Sequence, residues 1–301
     1  MRTNRLYGNR RPSHFMFIAL LCAIGFMPFG CRLYKSDSLK VMSFNIRYDN
    51  PDDGENGWPN RREHVVGIIK KYAPAAVGVQ EALLHQLNYL DSALADYAWV
   101  GVGRDDGKSK GEFTAIFYRK SRLTLATDST FWLAPTPGLT VKGWDAALNR
   151  TVTWAKFEDS RTNRAFYLFN THFDHRGQLA RLESAKLLRK QIDRIAGNAY
   201  VIVTGDFNCS PDSAPYAVLT DTAQTELAAH LYNTKDISAS AHRGPSATFN
   251  GFDLTHDDSA PIDLIFVGSG FRVLSHAHIA DAYDGKVISD HFPVLVELLI
   301  L

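Results

Sequence analysis

The sequence predicts an α/β protein with packed sheets and helices on their outer faces. Strand-like and helix-like segments alternate from residue 38 onward, without a linker, a repeat or a low-complexity tract. Hairpin-like pairs occur alongside strands joined through helices, a mixture typical of sheets covered by helices. With 301 residues, of which 45% are hydrophobic and 22% charged, the chain can bury a large core.

Apolar runs and turn residues define the elements of the first half. Strands are predicted at residues 40–46, 76–80, 113–118, 151–157 and 165–170, with a turn at Arg161-Thr162-Asn163 between the last two. Between the first two strands, Asn60 and Glu63 fit a capping box, apolar residues recur at helical spacing, and Pro74 ends the helix. A second helix is predicted at 83–94.

The second half continues the alternation. A long amphipathic helix is predicted at 178–195, and buried strands follow at 200–204, 262–267 and 294–299. Long polar loops are predicted at 49–60, 104–111, 135–147 and 239–260. Ordered loops of this length on a rigid scaffold often shape a substrate cleft.

Residues 1–30 are predicted to be a signal peptide preceding a catalytic domain at 38–301. Residues 1–14 hold four arginines and no acid, and residues 15–30 are uncharged. A spanning helix needs roughly 20 apolar residues, so the shorter run fits a secretory signal better. The alternative is a buried N-terminal helix. The lack of polar residues alternating with the apolar ones argues against it. We expect export from a bacterial cell.

Cys31 directly follows Gly30, a placement that resembles a bacterial lipoprotein processing site. The preceding Met27-Pro28-Phe29 departs from the usual leucine and small-residue pattern, so lipidated and unlipidated export both stay open. The predicted location is the periplasm or, with a lipid anchor in the membrane, the outer membrane. No protein partner can be inferred.

Charge and cysteine content exclude two classes of protein. The chain has 33 basic and 32 acidic side chains, and without the four arginines of residues 1–30 the balance is 29 to 32. This argues against binding to nucleic acid through bulk positive charge, although a local basic groove stays open. Three cysteines are too few for a disulfide scaffold.

Acids, amides and histidines stand at the ends of the apolar runs. Taken singly, each is typical of a turn residue or a helix cap. Their number and similar placement instead indicate one polar site, because such groups are costly to bury unless they are paired or bind an ion. Carboxylate and amide oxygens suit Mg²⁺ or Mn²⁺, and the absence of a cysteine partner argues against a zinc–thiolate site. These residues are Asn45, Glu81, His172, Asp174, Asp206, Asn208, Asp263, Asp290 and His291.

The motifs around these residues resemble those of the endonuclease/exonuclease/phosphatase superfamily, which includes DNase I-like nucleases, sphingomyelinases and inositol-phosphate phosphatases. The motif sequences are most similar to those of deadenylase-like and exported bacterial members. The resemblance implies a four-layer α/β sandwich, two packed mixed sheets flanked by helices, with the active site at one end. In order, the motifs are SFN at 43–45, QE at 80–81, NTHFD at 170–174, GDFN at 205–208, IDLIF at 262–266 and SDHFPV at 289–294.

The resemblance also implies roles. Asn45, Glu81 and Asp290 resemble metal and phosphate-positioning residues, with Glu81 as the direct Mg²⁺ ligand. Asp206 and Asn208 resemble the pair that positions the attacking water and the phosphoryl oxygens. Asp263 resembles the acid that holds His291, and Glu112 resembles the glutamate that orients His172.

Arg150 and Arg176 are predicted substrate contacts, because a guanidinium matches phosphate geometry; a surface salt bridge is the alternative for each. The predicted activity is metal-dependent hydrolysis of phosphate esters, foremost as a phosphodiesterase or nuclease with Mg²⁺ or Mn²⁺ as cofactor and nucleic acid as a candidate substrate. A phosphomonoesterase or a sphingomyelinase-like phospholipid hydrolase is the alternative. A surface binding protein that has lost activity is a third interpretation.

Overall fold

The computed structural model describes residues 37–223, 230–255 and 260–301, together with Gly8. The predicted signal peptide, apart from Gly8, and Cys31 lie outside the described residues. Within the described ranges, no helix combines the length and the apolar character needed to cross a bilayer.

Fourteen strands and four α-helices are assigned among the described residues. The strands are β1 (Leu39–Asn45), β2 (Ala76–Ala82), β3 (Tyr97–Val100), β4 (Phe113–Arg119), β5 (Leu123–Trp132), β6 (Thr151–Asp159), β7 (Arg164–His172), β8 (Tyr200–Asp206), β9 (Tyr232–Asn233), β10 (Asp263–Val267), β11 (Phe271–His278), β12 (Ala282–Tyr283), β13 (Lys286–Val287) and β14 (Val294–Ile300). The helices are α1 (Trp58–Tyr72), α2 (Leu84–Ala93), α3 (Gln178–Ala196) and α4 (Ala214–Thr220), and a 3₁₀ helix spans Pro51–Asn56.

The strands form two six-stranded mixed sheets. The first has the order β11-β14-β1-β2-β4-β3 and the second the order β5-β6-β7-β8-β10-β9, while β12 and β13 form a separate pair. Each large sheet contains one parallel pair, β1 with β2 and β7 with β8, and its other neighbours are antiparallel. Parallel neighbours end at the same edge, so each sheet brings two strand ends together.

Three apolar clusters show the layering. Val41, Ile116 and Phe166 belong to the cluster between the sheets. A second cluster packs α1 and α2 on the outer face of the first sheet, and a third packs α3 and α4 on the second. Central strands buried on both faces read as continuous apolar runs rather than alternating ones. The predicted four-layer α/β sandwich is confirmed.

The start of α1 differs from the prediction. The helix begins at Trp58 with Gly57 at its N-cap and Pro59 in its first turn, rather than at a capping box formed by Asn60 and Glu63. Pro59 favours this earlier start because its fixed φ suits the first helical turn. The Asn60 side chain donates its amide N–H to the Glu55 carbonyl, at 3.1 Å, instead of capping the helix.

A buried amide joins the two sheets below the edge where the parallel pairs end. Asn170 on β7 is fully buried and donates through Nδ2 to the Val79 and Ala115 carbonyls of the first sheet, both at 2.9 Å. Its Oδ1 accepts from Gln80 Nε2 at 2.6 Å and Thr204 Oγ1 at 3.0 Å. Every strong hydrogen-bonding position of this amide is used.

Gly78 makes that close approach possible. It lies on β2 opposite the amide, and a Cβ at this position would collide with Thr204 Oγ1 and Asn170 Oδ1. Because Gly78 on the first sheet has no side chain, the Asn170 amide of the second sheet has room to bridge the two sheets.

We expect Asn170→Leu to lower the free energy of unfolding by at least about 3 kcal/mol, since it removes four buried hydrogen bonds from the interior. Urea unfolding followed by tryptophan fluorescence measures this change. The matched control is Asn198→Leu on an exposed residue, which should change the value by less than about 0.5 kcal/mol. A loss of under about 1 kcal/mol in the Asn170 variant would contradict the role of this amide.

Candidate active site

A cavity of about 690 Å³ opens at the end of the sandwich where the polar strand ends meet. Eight of the predicted site residues line it: Glu81, Glu112, Arg150, His172, Asp206, Asn208, Asp290 and His291. Asn45 and Asp263 stand directly behind them, 1% exposed each, and hydrogen-bond to lining residues. The structure thus gathers ten of the eleven predicted residues at one place.

Strand register explains this convergence. On the second sheet, β7 and β10 flank β8, so that His172 and Asp263 are both paired with Asp206. On the first sheet, Asn45 of β1 is paired with Gln80, which precedes Glu81 in β2. Because residues paired across neighbouring strands lie side by side, motifs far apart in sequence end at one edge.

The backbone adopts unusual conformations at this edge. Arg47, Glu81 and Asn208 line the cavity and have left-handed φ values of 57°, 64° and 47°. Glu81 coincides with a register irregularity between β2 and β4, which falls between Val79 and Ala82. Non-glycine residues adopt this region rarely, and a bulge re-aims a side chain. We attribute the direction of the Glu81 carboxylate into the cavity to this bulge.

Asn45 connects the two sheets at the floor of the site. Its Nδ2 donates to Glu81 Oε1 at 3.1 Å and to Asp206 Oδ2 at 3.0 Å, and its Oδ1 accepts from the Arg47 N–H at 3.0 Å. The amide nitrogen, rather than the oxygen, therefore faces the two carboxylates. Asn45 holds two acids of opposite sheets at a fixed separation.

Asp263 and His291 form a buried pair. His291 Nδ1 donates to Asp263 Oδ2 at 2.7 Å, and His291 Nε2 lies 3.9 Å from Asp206 Oδ2. Burial alone lowers the pKa of an imidazole, but the hydrogen bond to Asp263 and the charges of Asp263, Asp206 and Asp290 together raise the pKa of His291 well above its usual value. His291 is therefore a cation at neutral pH.

His172 has the opposite character. Burial, and then the charges of Arg150 and Arg104, hold the pKa of His172 well below its usual value. Its Nε2 lies 3.5 Å from Asp206 Oδ2, and its Nδ1 lies 3.9 Å from Glu112 Oε2. Glu112 itself accepts from Arg104 at 2.6 Å. Glu112, the predicted partner of His172, is thus nearby, but the shorter contact of Glu112 is with Arg104.

The acids of the site resist ionisation. Burial and the neighbouring Asp263 raise the pKa of Asp206 to about 7, although His291 opposes the shift. Burial likewise raises the pKa of Asp290, as does the charge of Glu81, against the opposing charges of His291 and Arg47. These two buried carboxylates therefore receive too little compensating positive charge.

Arginines line the cavity together with the acids. Arg150 is 4% exposed, with Nε 3.3 Å from Asp174 Oδ2 and one η-nitrogen 3.0 Å from His175 Nδ1. Its other η-nitrogen is buried without a hydrogen-bond partner among the described residues. Arg47 holds Asp53 at 2.9 Å and lies 3.6 Å from Asp290 Oδ2.

Arg176 is the predicted residue that the cavity does not include. Its side chain is exposed, and its backbone N–H donates to Asp174 Oδ1 at 3.0 Å as part of the turn before α3. The cavity-lining arginines are instead Arg47, Arg104 and Arg150. Arg47 follows the SFN motif by two residues, so its position at the strand end was a usable signal.

A family model describes these same strand-end motifs. The endonuclease/exonuclease/phosphatase family model matches residues 42–291. The chain belongs to this family. Members of the endonuclease/exonuclease/phosphatase family hydrolyse phosphoric esters, and the chain is an enzyme of that class.

Solved structures with similar sequences support the same placement. An endonuclease/exonuclease/phosphatase from Bacteroides vulgatus is 38% identical, with a TM-score of 0.82, over 88% of this chain and 99% of that one. A mannosyl-6-phosphatase from Bacteroides thetaiotaomicron is 36% identical, with a TM-score of 0.81, over 87% of this chain and 99% of that one.

A probable RNA exonuclease of Saccharomyces cerevisiae is 27% identical over 209 residues. This match covers 61% of the chain but only 40% of the exonuclease, so most of that protein has no counterpart here.

We expect Asp263→Asn to lower the pKa of His291, because burial is then opposed only by the smaller effects of Asp206 and Asp290. NMR titration of the imidazole resonances measures this shift. The matched control Asp281→Asn removes a surface carboxylate that pairs with Lys71 and should leave His291 unchanged. A His291 that titrates alike in the parent and in the Asp263 variant would contradict the assigned pairing.

Proposed function

We propose that the protein is a divalent-metal-dependent phosphomonoesterase that acts on small polar phosphates, above all sugar phosphates. One observation carries the proposal. Ligand atoms of Glu81, Asp206 and His291 lie within 4.8 Å of one another, inside a cavity that three arginines also line. Acids that suit a cation and arginines that suit an anion in one cavity are what a metal-assisted phosphate hydrolase requires.

The residues fit a hard divalent ion. Glu81 and Asp206 offer the carboxylate oxygens that Mg²⁺ and Mn²⁺ prefer. The raised pKa values of Asp206 and Asp290 indicate a shortage of positive charge that a bound cation would relieve. Glu81 and Asp206 would hold the ion, with Asn45 fixing their separation, whereas the protonated His291 stays outside the ligand set.

Such an ion, when bound, supplies Lewis acidity that neutralises charge on the phosphoryl and leaving oxygens. The chain's own groups do the rest. Asp206 Oδ1, which accepts from the Asn208 N–H at 2.9 Å, orients the attacking water and accepts its proton, while Oδ2, which accepts from Asn45 Nδ2, would face the ion. The cationic His291 donates from Nε2 to a phosphoryl oxygen. The neutral His172 fits a hydrogen-bonding role better than proton delivery.

The cavity favours a small monoester over an extended polymer. Its volume of about 690 Å³ falls within the roughly 300–1,000 Å³ typical of single small ligands. Arg150 lines the cavity, and one of its buried η-nitrogens has no hydrogen-bond partner among the described residues. The mannosyl-6-phosphatase, at 36% identity over nearly its whole length, supports a sugar phosphate as the substrate class.

A phosphodiesterase or nuclease is the second candidate, and the RNA exonuclease relative favours it. A diester also presents a phosphoryl group to the same acids and arginines. Among the described residues we identify no further feature that favours a phospholipid. Export through residues 1–30, with or without lipidation of Cys31, stays part of the proposal.

We expect hydrolysis of mannose 6-phosphate or p-nitrophenyl phosphate to exceed that of bis(p-nitrophenyl) phosphate, RNA, DNA and sphingomyelin by at least about tenfold in kcat/KM. EDTA should abolish turnover, and Mg²⁺ or Mn²⁺ should restore it. Glu81→Gln, Asp206→Asn and His291→Ala should each reduce kcat by at least about a hundredfold.

The matched control is Glu183→Gln, which changes an acid on α3 that pairs with Lys186 and should leave kcat unchanged. Faster hydrolysis of RNA or of the synthetic diester would favour the second candidate. Turnover that survives both EDTA and Glu81→Gln would refute metal-dependent catalysis at this site.

A further inference from the structure

Three histidines that do not line the active-site cavity converge at the edge of the first sheet. His276 and His278 lie two residues apart on β11, and His242 lies in the segment that runs alongside this strand. One ring nitrogen of each lies within 4.8 Å of the other two. His276 is 2% exposed and His278 3%, while His242 is partly exposed.

Backbone pairing brings the third histidine into place. Arg243 forms a parallel bridge with Ala277, accepting from the His278 N–H at 2.9 Å and donating to the His276 carbonyl at 3.3 Å. Gly244 follows with a φ of +97°, and a Cβ there would collide with the His278 carbonyl. The chain can therefore turn against β11 only because this residue is glycine.

The Pro245 carbonyl determines which ring nitrogens carry protons. It lies 3.0 Å from His242 Nε2 and 2.8 Å from His278 Nδ1. A carbonyl only accepts, so both nitrogens are donors, and each neutral ring keeps a lone pair on its other nitrogen. Metal-binding histidines are characteristically oriented in this way, by donating their second ring N–H to a carbonyl or carboxylate.

The buried rings of His276 and His278 are uncharged at neutral pH. Burial first, and then the neighbouring imidazoles, lowers the pKa of His276 to about 2 and that of His278 to about 4. His242 Nδ1 and His276 Nδ1 are 2.9 Å apart. His278 Nε2 is buried and has no hydrogen-bond partner among the described residues, and an unpaired buried nitrogen calls for an explanation.

We propose that His242, His276 and His278 form a second metal site, for a divalent ion of the Zn²⁺ type, with water as the fourth ligand. Two nitrogens bound to zinc at roughly 2.0–2.1 Å in tetrahedral geometry are about 3.3 Å apart, close to the spacing of His242 and His276 Nδ1. The proton that these two atoms now share would move to Nε2 of His276, so no net proton is lost. Three imidazoles favour Zn²⁺, Co²⁺ or Ni²⁺ over Mg²⁺.

The role of this site is structural. The segment that begins at His242 continues to Thr248, whose Oγ1 accepts from the Asp263 N–H at 3.0 Å and whose carbonyl accepts from the Phe292 N–H at 2.7 Å. The next residue, Phe249, packs edge-on against the His291 ring at 5.2 Å between centroids. A metal at the start of this segment would anchor the wall that packs on the catalytic histidine.

The experiment uses metal-stripped protein in buffer with excess Mg²⁺, which occupies the oxygen-rich site. Titration with Co²⁺ should show that one equivalent of Co²⁺ binds, with the visible absorption typical of tetrahedral nitrogen coordination. Zn²⁺ at about a hundredfold excess over its Kd should raise Tm by roughly 5 °C. His242→Gln should abolish both signals, and because His242 is partly exposed this variant is expected to fold, as circular dichroism would verify. His276→Gln is the second loss variant.

The matched control His85→Gln removes an exposed imidazole outside the cluster and should keep both signals. Glu81→Gln should also keep them, which separates this site from the proposed catalytic one. Either of two results would overturn the proposal. One is the absence of a Co²⁺ spectrum in the parent protein, and the other is a spectrum that survives His242→Gln and disappears in Glu81→Gln.

Discussion

The fully buried Asn170 amide is the interaction on which the geometry of the site depends. It donates to carbonyls of one sheet from a strand of the other, and it accepts from Gln80 and Thr204, each at 3.0 Å or less. Gln80 immediately precedes Glu81, and Asn170 stands two residues before His172. The amide therefore sets the separation of the sheets next to the residues that act on substrate.

Burial and charge then give each group its chemical character. Asp263, with Asp206 and Asp290, keeps His291 protonated. Burial and then the arginines keep His172 neutral, and burial above all raises the pKa values of Asp206 and Asp290. A site assembled only from acids would stay protonated, and one assembled only from arginines would hold phosphate without activating water. Acids and arginines line the same cavity, so it offers groups for a cation and for an anion together.

The sequence predicted the central strands well because burial on both faces leaves long apolar runs. Strand-end motifs predicted eight of the residues that meet at the cavity, and Glu112 and Arg150 were predicted separately. It missed β5, where polar residues interrupt the apolar pattern of an edge strand, and β11, where a bulge and two histidines do so. The His242 cluster was missed because strand pairing joins residues that no local pattern links. Arg104 lies in a predicted loop without such a signal, whereas Arg47 was signalled by its place two residues after the SFN motif.

The two inferred sites differ in donor chemistry, oxygen at the strand ends and nitrogen at β11, so different ions report on each. Anomalous diffraction from crystals soaked in Mn²⁺ tests most directly the central claim that strand ends from both sheets share one cation. We expect a single strong Mn²⁺ peak, with the distance from the ion to the Glu81 and Asp206 carboxylate oxygens about 2.2 Å. A peak bound by neither carboxylate, or none at this edge of the sandwich, would contradict it.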